Sequence, residues 1–153
     1  MKIYGPKSLI KINKKHTILS NQIELIKSTF RHFEIIIVGG FQHEKIFDSL
    51  KIKCKFVINN NYEDTNVFHS ISLGLNKTSN NKVLIVYGDL IFNKACINLP
   101  FNKESSIVVS DTMKNEEVGC IFYDGILENV FYKLPNKWAQ IIYFTGPELE
   151  QLR

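Results

Sequence analysis

Three short apolar runs, separated by segments of helical period, constrain this chain more than any other feature. Residues 34–38 read Glu34-Ile35-Ile36-Ile37-Val38, residues 54–58 form a second run, and residues 82–87 a third. Unbroken β-branched sequence is the pattern of a strand covered on both faces, as in parallel sheets. Leu19, Ile23, Ile26 and Phe30 share one helical face, so residues 18–31 predict an amphipathic helix. Residues 42–50 predict a second helix that turns Ile46, Phe47 and Leu50 inward. A third carries Val67, Ile71 and Leu75 on one face, with Thr65 or Asn66 as its cap. Alternating strands and helices predict an α/β fold with a Rossmann-like, mostly parallel sheet and right-handed crossovers. Ligands in such sheets bind beyond the carboxyl ends of the strands. Gly39-Gly40, Asn59-Asn60-Asn61 and Gly88-Asp89 therefore fall along one rim.

After residue 100 the grammar changes. Residues 118–123 and 126–132 flank Asp124-Gly125, a pair favoured in type I′ hairpin turns, so this half is antiparallel. Residues 137–144 predict a short helix, and Thr145-Gly146-Pro147-Glu148 opens another. With 153 residues, 44% of them apolar, the chain fits one domain, residues 1–153, with a buried core.

Composition excludes several functions. Lysine, isoleucine and asparagine are abundant, but arginine occurs only at Arg31 and Arg153. A net charge of +4 carried by scattered lysines offers no cluster for reading nucleic acid. No apolar run approaches the roughly 18–20 residues that span a bilayer. Met1 to Pro6 lack the apolar stretch of a secretion signal. Cys54, Cys96 and Cys120 have neither zinc spacing nor a CxxC pair, and read as reduced thiols of a cytoplasmic protein.

Asp89 is the sharpest chemical candidate, since an acid directly after a buried strand stands on the ligand rim. It either holds Mg²⁺, which takes one or two carboxylates together with substrate phosphates, or caps a turn. Asn59, Asn60, Asn61 and Asn66 either read a base edge or sugar hydroxyl, or serve turns and caps. Lys7 meets a phosphate or is a solvated charge. His16, His32, His43 and His69 share no metal-ligand spacing, and His69 and Ser70 point different ways on a helix. Trp138 with Tyr143 and Phe144 makes a stacking wall or packs in the core.

In order along the chain, these pieces resemble the nucleotidyltransferases that make nucleotide sugars and related activated compounds. Pro6-Lys7-Ser8-Leu9 through Gln22-Ile23 resembles the family's "PK-x-L" stretch. The run from Glu34 to Phe41 looks like its "eiiiVvGy" strand, that from Val57 to Ser70 its "N-x-x-y-x-x-t-N-x-x-x-S" segment, and that from Val83 to Phe92 its "G-D-x-x-f" metal strand. Val118-Gly119, Gly125-Ile126, Trp138-Ala139 and the run from Phe144 to Leu149 look like the acceptor half. The small sugar-phosphate and choline-phosphate cytidylyltransferases are the most similar branch.

The resemblance implies a Rossmann-like sheet with a mixed acceptor half. It also implies transfer of a nucleotidyl group, CTP favoured, to a phosphorylated sugar or choline-like acceptor with release of pyrophosphate. Carried over residue by residue, Asp89 holds Mg²⁺ and Lys7 meets the phosphates. Gly39, Asn59, Asn66, Ser70 and Gly88 line the nucleotide or acceptor groove. The sequence departs from the family in two places. The glycine-rich loop and strand that precede the proline-lysine pair are replaced by Met1 to Gly5, and no late second carboxylate sits in a matching motif, so the domain reads as shortened at both ends. In the family that strand lies between the strands corresponding to residues 34–39 and 82–87. Its loss implies two unpaired edges, filled by Lys2-Ile3-Tyr4, by closure of the neighbours, or by self-association or a partner chain. The alternative to an enzyme is a non-catalytic binding or structural domain of the same fold. A glycosyltransferase is disfavoured because Leu90-Ile91 follows Asp89 and no Asp-x-Asp pair appears.

Overall fold

The structure is a computed structural model that describes residues 5–98, 104–111 and 117–153. The expectation placed on Lys2-Ile3-Tyr4 lies outside these residues. A 3-10 turn at Lys7–Leu9 leads to helix α1, Ile18–Thr29. A capping box opens α1: the Thr17 side chain accepts from the Ser20 backbone N–H, and Ser20 Oγ accepts from the Thr17 N–H. Strand β1 (Ile36–Gly39), α2 (His43–Ser49), β2 (Lys55–Ile58), α3 (Val67–Leu75) and β3 (Lys82–Val86) follow in the predicted alternation. Leu19 and Ile23 of α1 pack with Ile46 of α2 over Ile35, Ile37 and Phe56. Phe47 departs from expectation. It stays largely exposed, touching only one edge of the core through a perpendicular contact with Phe56.

The second half consists of β4 (Ser106–Ser110), β5 (Val118–Tyr123), β6 (Ile126–Tyr132), β7 (Asn136–Thr145) and α4 (Gly146–Leu152). The hairpin turns at Asp124 and Gly125, both with positive φ, as a type I′ turn demands. Residues 137–144 form the long strand β7, not a helix. Trp138, Ile141, Ile142, Tyr143 and Phe144 are β-branched or aromatic, and they satisfy a helical period and a strand equally well. What decides is pairing on both edges: β7 meets β3 and β5 on one side and β4 on the other. Ile141 and Tyr143 are buried in consequence.

The expected mostly parallel sheet is corrected by these pairings. Among the described residues only β1 and β2 pair in parallel; β3, β4, β5, β6 and β7 make a separate, antiparallel five-stranded sheet. The molecule is a mixed α/β fold in which β1 and β3 do not pair. A cavity of about 1050 Å³ separates them, bordered by both strands and by side chains of α1 and α3.

Candidate functional site

The rim at the carboxyl ends of β1, β2 and β3 collects most of the candidate residues. Lys7 enters on the 3-10 turn, and its Nζ donates to Asp89 Oδ2 at 3.1 Å, beyond the end of β3. Both side chains are more than a third exposed, so the pair adds little to stability and is open to exchange with a charged ligand. Gly88 lies beside Ser8, close enough that a Cβ there would meet the Ser8 Cβ at 3.8 Å. Gln22, buried on α1, donates to the carbonyls of Tyr87 and Leu90 at 2.9 and 2.7 Å and so fixes the segment that carries Asp89. A polar residue among the apolar positions of α1 was the available signal for Gln22, but its partners lie too far along the chain to be read locally. Tyr87 stacks edge-on against Trp138 at 5.4 Å, so Trp138 packs against the end of β3. Burial, and then the Asp89 charge, push the Tyr87 phenol above its ordinary pKa.

The second group is turned inward. Asn59 is buried; its Nδ2 donates to Thr65 Oγ1 and Ser70 Oγ, both at 3.1 Å, and its Oδ1 accepts from the Asn61 N–H. Asn66 caps α3 by accepting from the His69 N–H. Gly39 gives its carbonyl to the Asn59 N–H, and a Cβ on it would come within 2.7 Å of the Phe56 ring. Here Asn59, Asn66 and Ser70 hold the loop itself. Ser70, Gly88 and Asp89 border the cavity, while Lys7, Gly39, Asn59 and Asn66 are not among its lining residues.

Among the described residues, no group of three His, Cys, Asp or Glu could hold a metal. Asp89 is a single carboxylate with a lysine already on one oxygen. Such a donor fits Mg²⁺ only when phosphate oxygens complete the shell. Among the same residues no helix is long and apolar enough to cross a membrane.

The sequence family described as a domain of unknown function, DUF6564, matches residues 7–137. The chain belongs to this family. No curated protein sequence matches this DUF6564 chain. Solved structures share its fold. CTP:phosphocholine cytidylyltransferase (LicC) from Streptococcus pneumoniae superposes with a TM-score of 0.68 at 22% identity, covering 97% of this chain and 65% of its own. HddC from Yersinia pseudotuberculosis gives 0.70 at 17%, covering 95% and 70%. The inositol-1-phosphate CTP transferase from T. maritima gives 0.69 at 14%, covering 94% and 63%. The DUF6564 chain thus has a cytidylyltransferase-type fold and spans about two thirds of the length of these proteins.

Proposed function

We propose that this DUF6564 chain is a nucleotidyltransferase-type domain that moves a cytidylyl group from CTP to a phosphorylated sugar or choline-like acceptor. The observation that carries the reading is the Lys7–Asp89 pair at the strand rim of a fold shared with two proteins named for CTP chemistry. A phosphate oxygen of the acceptor attacks the α-phosphorus of CTP in line; the new P–O bond forms as the bond to pyrophosphate breaks. Such a reaction requires positioning and charge neutralisation more than proton transfer. Lys7 supplies a mobile cation for the phosphates once it leaves Asp89. Mg²⁺, held by Asp89 and phosphate oxygens, would add neutralising charge. The Gln22 bonds behind Tyr87 and Leu90 keep the carboxylate in place. A cytoplasmic setting is part of the same proposal.

Pyrophosphate release tests this with CTP, Mg²⁺, and phosphocholine or pooled sugar phosphates. Release is expected from the native chain and should fall by roughly 10²–10³ in Asp89→Asn or Lys7→Ala. Folded protein that releases none overturns the enzyme reading. The second reading, a binding domain without turnover, is favoured by one observation: Asn59 spends its amide within the loop, on Thr65, Ser70 and the Asn61 N–H. CTP binding by calorimetry without pyrophosphate release would establish it.

A further inference from the structure

Among the described residues, Gln140 is the one non-glycine residue inside a strand whose φ is positive, at 60°. That conformation crowds a Cβ, and glutamine has no special aptitude for it. The register of β7 shows where it comes from. Ile142 pairs with Ile107 and Trp138 with Val109, so residues 139–141 lie opposite the single Val108 of β4. The surplus residues of β7 make a wide bulge centred on Gln140.

On the other edge of β7 the bulge lies at a change of partner. β3 pairs with residues 141–145 and β5 with residues 136–137, which leaves Trp138, Ala139 and Gln140 between them. β3 meets the bulge through one long bond, from Tyr87 N–H to Gln140 O at 3.4 Å, and its pairing stops there. A regular antiparallel register carried two residues further would set Asp89 opposite Trp138 and draw its N–H into the ladder. Instead Tyr87 meets Trp138 edge-on, Leu90 N–H turns back to Tyr87 O, and the Asp89 carboxylate receives Lys7. Bulges end pairing and re-aim side chains, and backbone strain of this kind collects at functional sites.

We propose that Gln140 is a positioning residue: its left-handed backbone holds the bulge that stops the β3 ladder at Tyr87 and leaves Gly88-Asp89 free to meet phosphates. Gln22 fixes the same turn from α1, and the bulge fixes it from β7. The role belongs to the backbone of Gln140, not to its amide, so it requires no contact between that side chain and substrate. The proposal rests on the transferase reading for what Asp89 does, while the geometry is tested without nucleotide. Trp138 is the only tryptophan and sits beside the bulge, and its buried Nε1 has no acceptor among the described residues. Loosening the bulge therefore wets the indole and shifts its emission to the red.

Substitutions at this position in the full chain separate backbone from side chain. Glycine and asparagine enter the left-handed region more readily than glutamine, alanine lacks the amide, and valine resists the conformation. Gln140→Gly, Gln140→Asn and Gln140→Ala should keep the native Trp138 emission, the native Gly88 and Asp89 amide resonances, and the native kcat. Gln140→Val should red-shift the emission, move both resonances, and lower kcat by roughly 10²-fold with little change in KM. If that variant does not fold, the smaller Gln140→Thr takes its place, and the glycine and alanine variants still decide. Four results overturn the proposal: emission and resonances unmoved in Gln140→Val, resonances moved there at unchanged kcat, Gln140→Ala as impaired as Gln140→Val, or Gln140→Gly departing from the native signals. A native chain that releases no pyrophosphate overturns the transferase reading instead, and the emission and resonances still test the bulge.

Discussion

Asn59 uses its amide in three directions, to Thr65, Ser70 and the Asn61 backbone, while almost completely buried. Removing it leaves polar partners unmatched inside the loop. Asn59→Ala should cost on the order of 1–3 kcal/mol, read as a lower urea midpoint at unchanged slope. Asparagine abundance told nothing of this; the family motif sets Asn59 apart from Asn60, but that Asn59 is buried and bonded within its own loop is seen only in the structure. The thiols act through pH. Burial pushes Cys54 and Cys120 above the ordinary thiol range. Their folded-state values lie above the unfolded value of about 8.5, so their contribution is complete below that pH and is lost as pH rises through the folded values. Tyr87 adds the same sign above about pH 10. Thermal midpoints scanned from pH 7 to 11 should hold to about pH 8.5 and then decline.

The strands of the antiparallel sheet are unequal. β7 is paired on both edges, and Ile141 within it is 1% exposed, whereas Ile126 on the outer strand β6 is 74% exposed. Ile141→Ala should cost about 2–5 kcal/mol and Ile126→Ala less than about 0.5, compared by chemical denaturation. Nothing local to residues 137–144 announces this central place. Their aromatic and β-branched side chains fit a short helix as well as a strand, and the choice falls to β3 and β4, which offer edges from far away in sequence. The hairpin at Asp124-Gly125 was legible for the opposite reason, since its turn is set by two adjacent residues that accept positive φ.

Across the molecule, no strand ladder among the described residues joins the β1–β2 half to the β3–β7 sheet. Polar ties span them: Gln22 to the Tyr87 and Leu90 carbonyls, Lys7 to Asp89, and Lys94 to the Ser28 carbonyl. Gln22 is the buried member; its loss takes the amide donor from the Leu90 carbonyl and leaves the Tyr87 carbonyl with the 3.3 Å bond from the Leu90 N–H. Gln22→Ala should lower stability by on the order of 1–3 kcal/mol. It should also separate the hydrogen-exchange protection of the two halves, so that β1 and β2 open before β7. The sequence by itself determined the elements that depend on neighbours along the chain. These are the three apolar strands, the helices between them, the Asp124-Gly125 turn, and a resemblance whose fold the cytidylyltransferase structures share. Tertiary structure decided what depends on residues brought together from a distance. Lys7 and Asp89 meet across 82 positions, β7 becomes a central strand, Asn59 is buried, and β1 and β3 face each other across a slot. Periodicity and turn chemistry act over a few residues and leave a local signature. Strand pairing and burial are set by the whole chain and leave none.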